Sequence, residues 1–132
     1  MGESIDNNAV NLLTQQGGVA VAVPTTGTDY SASIMLKRNR NFGLRVQFDS
    51  PGTVNVRVEL EQGSARPTSE GAVDTAWDST DILHAGITDE LPHHIVVSPI
   101  VGKFARIKFV GLAGNDAGTT VSVLEWNETK SS

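Results

Sequence analysis

The clearest pattern in the chain is an alternation of apolar and polar residues that begins at Phe42. Phe42, Leu44, Val46 and Phe48 are separated by Gly43, Arg45 and Gln47. After Asp49-Ser50-Pro51-Gly52 the alternation resumes as Val54, Val56, Val58 and Leu60 against Asn55, Arg57, Glu59 and Glu61. Side chains leave a β-strand on alternate faces, so each segment is expected to have one apolar and one wet face, with Glu59 and Glu61 on the wet one. Ser-Pro-Gly combines a fixed φ with a residue that tolerates positive φ, which is turn chemistry. The two segments are therefore expected to pair as an antiparallel hairpin.

A second hairpin is expected further on. Ala105, Ile107 and Phe109 alternate with Arg106 and Lys108, and Gly114-Asn115-Asp116-Ala117-Gly118 reads as its loop. The return strand sets Thr119, Val121 and Val123 on one face and Thr120, Ser122 and Leu124 on the other. Both pairs return through Gly-Thr, at Gly52-Thr53 and Gly118-Thr119. Shorter strands are expected over residues 19–23, 31–36 (after a Thr26-Gly27-Thr28-Asp29 turn), 75–78, 81–84 and 94–98. Roughly eight short strands at this spacing predict an all-β fold, an antiparallel β-sandwich that is jelly-roll-like, over residues 19–126.

The ends are read separately. Ser4 could cap a helical turn with Ile5, Ala9, Leu12 and Leu13 on one side before Gly17-Gly18 stops it. The amides among them dilute that pattern, so residues 1–18 are expected to form an N-terminal arm. Leu12 and Leu13 would be its small apolar anchor on a neighbouring subunit or partner. Residues 127–132 are expected to be a flexible tail.

Composition narrows the function. At 132 residues the chain fits one domain. It has no cysteine, which removes disulfides and thiolate metal sites. A net charge of −5 argues against a partner held by its phosphates, so no nucleic acid is expected. No stretch approaches the ~18 apolar residues of a membrane span. Met1-Gly2-Glu3-Ser4-Ile5-Asp6 lacks the basic-then-apolar order of a secretory signal, and Asp6 stands where a myristoylation pattern wants Ser or Thr.

Candidate chemistry is sparse. His84, His93 and His94, near Asp81, Asp89 and Glu90, keep a weak metal site conceivable, but His93 and His94 are adjacent and would point to opposite faces of a strand. A solvated loop entering a strand explains them as well, and no metal or cofactor is expected. No nucleophile elbow, His-Glu-x-x-His or phosphate-binding glycine loop is present, so no catalytic residue is assigned and the chain is not expected to be an enzyme. Lys37-Arg38-Asn39-Arg40 is the one basic cluster. Lys37, Arg38 and Arg40 are candidate contacts to an acidic partner surface, although a soluble turn is the plainer explanation. Trp77 is a candidate partner contact too, or a cover for a sheet end. Asn127-Glu128-Thr129 matches a glycosylation sequon that is read as incidental.

The order of the segments 31–36, 41–48, 52–61, the Trp77 region, 104–109 and 118–124 resembles small β-sandwich structural proteins of tailed bacteriophages, particularly capsid decoration (cement) proteins. The resemblance covers roughly residues 19–126. It implies a protein made in the host cytoplasm and added to the virion. There it would bind the major capsid protein or another virion protein on the capsid exterior, stabilise the shell, and form a homo-oligomer, with a trimer favoured. The alternative is a carbohydrate- or receptor-binding sandwich using Trp77, Tyr30 and loop residues.

Overall fold

The computed structural model describes residues 5–11, 21–23, 25–31, 34–35, 41–64, 79–97 and 102–131. Leu12, Leu13, Lys37, Arg38, Arg40 and Trp77 lie outside the described residues, as does the strand expected at 75–78. Ten strands and no helix are found among those described. They are β1 (Ile5–Asn11), β2 (Val21–Ala22), β3 (Thr28–Tyr30), β4 (Ile34–Met35), β5 (Asn41–Asp49), β6 (Val56–Gly63), β7 (Ser79–Ile87), β8 (His93–Val97), β9 (Phe104–Gly111) and β10 (Thr120–Ser131).

The strands form two five-stranded antiparallel sheets. The first runs β1-β10-β5-β8, and the second runs β3-β9-β6-β7. β5 occupies one edge of β10 from Thr120 to Thr129, so β1 and β2 must share the other. By the same reasoning β3 and β4 share the edge of β9 that β6 leaves open. Counting each shared edge once gives eight positions in two four-position sheets, in the strand order of a jelly roll. The all-β sandwich expected from the alternation is the fold observed.

The expected hairpins are not. β5 pairs with β10 and β8, whereas β6 pairs with β7 and β9. β9 and β10 likewise belong to different sheets. The Ser50-Pro51-Gly52 turn and the loop around Asn115 are arches that carry the chain from one layer to the other. Alternation states only that a strand has one apolar face. Two consecutive strands can satisfy that side by side in one sheet, or facing each other across the core, and this chain does the latter.

The facing surfaces are dry. Phe42, Leu44, Val46 and Phe48 on β5 meet Val56, Val58 and Leu60 on β6 and Ile107 and Phe109 on β9 in a single buried cluster. Phe48 and Phe109 touch edge to face across the layers, with ring centroids 5.9 Å apart. Each such ring contributes about 1.5–3 kcal/mol by leaving water. Within the first sheet Trp126 stacks at a tilt on Phe42, centroid to centroid 5.2 Å. Its indole N–H is buried without a hydrogen-bond partner, which offsets part of that gain.

Three further expectations change. The register of β10 on β5 steps from Val121↔Phe48 to Val123↔Gln47, so Ser122 is an extra, bulged residue whose hydroxyl donates to the Gln47 carbonyl at 3.2 Å. The bulge moves the buried set from Val121 to Leu124 and Trp126, instead of Val121 and Val123. Ile5–Asn11, read as a poorly periodic arm with a hint of helix, is a strand on the chain's own β10, in register from Ile5↔Ser131 to Asn11↔Glu125. Backbone pairing decides that segment, and its side-chain pattern carries no signal of it. Residues 127–131, set down from the sequence as a tail, continue β10 between β1 and β5.

Candidate assembly surface

Four connections are joined to one another by hydrogen bonds: β2–β3, β5–β6, β7–β8 and β9–β10. Asn115 is the knot. Its side-chain oxygen accepts the Asn55 N–H at 3.0 Å, and its amide nitrogen donates to the Val23 carbonyl at 3.2 Å. Around it Val23 N–H bonds Thr119 O at 2.9 Å, Gly111 N–H bonds Gly27 O at 2.9 Å, and Asp116 N–H bonds Thr53 O at 2.8 Å. The Thr119 hydroxyl donates to Ser50 Oγ at 2.9 Å. Glu90 brings in the fourth connection, its carboxylate accepting Ser50 N–H at 2.8 Å and its carbonyl accepting the Gln47 amide at 2.9 Å. Backbone groups in loops must find partners somewhere. Here they find them in neighbouring loops, which makes this end of the sandwich one connected piece.

The Gly-Thr echo in the sequence has its explanation at this end. A side chain at Gly118 would meet the Pro51 ring at 2.9 Å, and one at Gly52 would collide with the Asp116 carboxylate. The two arches lie against each other, and both need glycine for close approach. The sequence does not single out Asn115 or Asn55, and it brings in Glu90 only beside the histidines, not as a loop tie. A buried amide in a Gly-Asn-Asp loop is a known turn former, but nothing local distinguishes a turn former from a residue that bonds two other segments.

Beside this end, β7 and β8 come together along one side of the sandwich. The rings of His84 and His93 meet edge to face at 5.4 Å, and His93 Nε2 lies 2.7 Å from Asp89 Oδ1. His84 Nδ1 accepts the Gly86 N–H at 3.2 Å. The His93 hydrogen bond, helped by the Leu91 N–H, holds the Asp89 carboxyl below its usual range. His94 pairs with Arg45 and His93 with Val46, on opposite faces of β8. Among the described residues no three His, Cys, Asp or Glu side chains converge as metal ligands would. Among the described residues the exposed large apolar ones, Ile82, Leu91 and Val96, all belong to β7, β8 or the loop between them.

Among the described residues Tyr30 and Trp126 do not form an exposed aromatic platform. Tyr30 is buried beneath the Arg106 guanidinium, 3.7 Å from its ring centroid, and Trp126 is wholly inside. This removes Tyr30 from the glycan-binding alternative. Glu59 and Glu61, expected on a wet face, are buried. Glu61 accepts from Arg106 Nε at 2.8 Å, and Glu59 lies 2.6 Å from Arg57 Nε and 3.9 Å from Lys108 Nζ. Opposite charges at cross-strand positions on β6 and β9 let the outward carboxylates leave water.

No protein-family model matches the chain, and no curated protein matches it in sequence. Its fold is similar to that of a chain in the structure of infectious bursal disease virus Gx strain, with a TM-score of 0.53 over 96% of this chain at 10% identity. The chain spans 33% of the length of that virus chain. No helix among the described residues is long and apolar enough to cross a membrane.

Proposed function

We propose that the chain is a structural component of a virus particle, of the decoration type, which attaches to other virion proteins at the shell exterior and stabilises the shell by contact. The observation that carries this reading is the jelly-roll strand order over nearly the whole chain, shared in fold with a chain of a virus structure. That virus is not a tailed phage, so the tailed-phage reading rests on the sequence resemblance alone. The loop end suits the role. Four connections tied through Asn115, Asn55 and Glu90 present a preorganised surface, and little ordering entropy remains to oppose docking. The reading involves no catalytic step, cofactor or nucleic acid.

The test is immunogold electron microscopy on intact particles from the source culture, with antibody raised against the purified chain. Surface labelling of sealed particles is the expected result. Recovery of the chain solely in the particle-free fraction would overturn the proposal. Particles made without the chain are expected to assemble and to lose integrity at lower temperature than complete ones.

A further inference from the structure

Among the described residues β8 ends its sheet without a partner on its outer edge, and it is unlike the other edge strands of the sandwich. Natural sheets blunt their edges with charge, interruption or bulges, because an unmodified edge recruits another strand. The β1/β2 edge includes Asp6 on β1. The β3/β4 edge includes Asp29 on β3. β7 includes Asp81 and shifts register twice against β6. β8 has none of these devices. His93-His94-Ile95-Val96-Val97 is continuous, pairs without a shift on β5, contains no carboxylate, lysine, arginine or proline, and exposes 83% of Val96.

We infer that β8 pairs with β8 of a second copy of this chain, antiparallel about a two-fold axis, joining the two first sheets into one. Charge favours this occupant. The chain carries a net charge of −5, so two copies repel wherever acidic surfaces meet, whereas β8 brings no carboxylate to the contact. The nearest carboxylate is Asp89, in the loop before His93. Antiparallel pairing sets the Asp89 end of each copy beside the Val97 end of the other. Five residues at about 3.4 Å each then separate the two carboxylates by more than a Debye length. A register centred on Ile95 places Val96 of each copy against His94 of the other, so the exposed methyl groups leave water at both ends of the ladder. An edge contact of five residues a side is small, and its affinity falls in the micromolar range. This contact does not depend on the virion reading, and the chain can dimerise or fail to whether or not antibody labels particles.

Sedimentation velocity on the full chain, from low micromolar to millimolar concentration, tests the inference. A reversible monomer–dimer equilibrium is expected for the parent protein. Val96→Lys is expected to weaken it at least about tenfold through lost apolar contact and added like charge, with an unchanged thermal melt because the side chain is exposed. Ile82→Lys, at the exposed apolar position on β7, is expected to leave it unchanged. A protein that stays monomeric at every concentration would overturn the inference. So would an oligomer that Val96→Lys leaves intact, or one that Ile82→Lys disrupts equally.

Discussion

The two sheets are built from similar alternating strands, and they treat their outward faces in opposite ways. On the first sheet Arg45 and Glu125 pair across β5 and β10 at 3.3 Å, with about a third of each side chain in solvent (36% and 35%). On the second, Arg106 and Glu61 pair across β9 and β6 at 2.8 Å with 1% and 9% exposed, and the guanidinium lies on Tyr30. Both pairs are Arg–Glu at neighbouring cross-strand positions, so residue type does not explain the difference. Burial does. The exposed pair is surrounded by water that weakens its attraction and solvates either partner alone. The buried pair has exchanged water for its partner, and each member depends on the other.

That contrast can be broken most forcefully at Arg106. Arg106→Ala leaves the Glu61 carboxylate buried without its partner, and an equilibrium urea melt is expected to show a loss of about 3–5 kcal/mol. A loss under about 1 kcal/mol would mean that the face is wet in solution. The double substitution Arg106→Met with Glu61→Leu sharpens the comparison, because apolar groups of similar volume replace both charges. It is expected to be markedly less destabilised than Arg106→Ala alone, with a large coupling energy in the double-mutant cycle. Arg45→Ala on the first sheet is expected to cost no more than about 1 kcal/mol in the same melt.

The smallest effect belongs to Asp89, on the exposed loop between β7 and β8. Its carboxyl is held below the ordinary 3.8 by His93 and the Leu91 amide. A depressed folded value stabilises the native state above the ordinary carboxylate range, and that contribution disappears as pH falls through the lowered folded value. A carbon-detected NMR titration is expected to place the Asp89 midpoint below 3.8 in the parent. Replacing His93 with Gln should move that midpoint upward, and a midpoint already at 3.8 in the parent would show that the contact does not persist in solution.

Much of the strand content was legible because burial of one face imposes a period of two, and β5, β6 and β9 lie where that period is clean. Pairing was less legible, because β5 pairs with distant β8 and β10, Arg45 meeting Glu125 80 residues away, while the turn chemistry of Ser50-Pro51-Gly52 suggests a local partner. β3 was read as a turn because Thr-Gly-Thr-Asp looks like one, yet Thr28–Tyr30 extends along β9. The bulge at Ser122 broke parity in β10, a change that no single-strand pattern reveals. The site was harder still. Asn115 matters through bonds to Asn55 and Val23, and those contacts exist only once the arches are stacked. Leu12, Leu13, Lys37, Arg38, Arg40 and Trp77 remain proposals drawn from the sequence.

The position of β10 sets a timetable for making the protein. It is the latest of the described strands in chain order, yet it stands in the interior of its sheet, holding β1 and β2 on one edge and β5 on the other. A ribosome adding roughly 5–20 residues per second exposes β5 and β8 seconds before Thr120 leaves the exit tunnel. Until then the first layer has a gap at its centre, and Phe42, Leu44 and Val46 have no completed sheet to hold them over the second. Closure of the sandwich therefore waits for β10, and the strands made before it must stay soluble until it arrives.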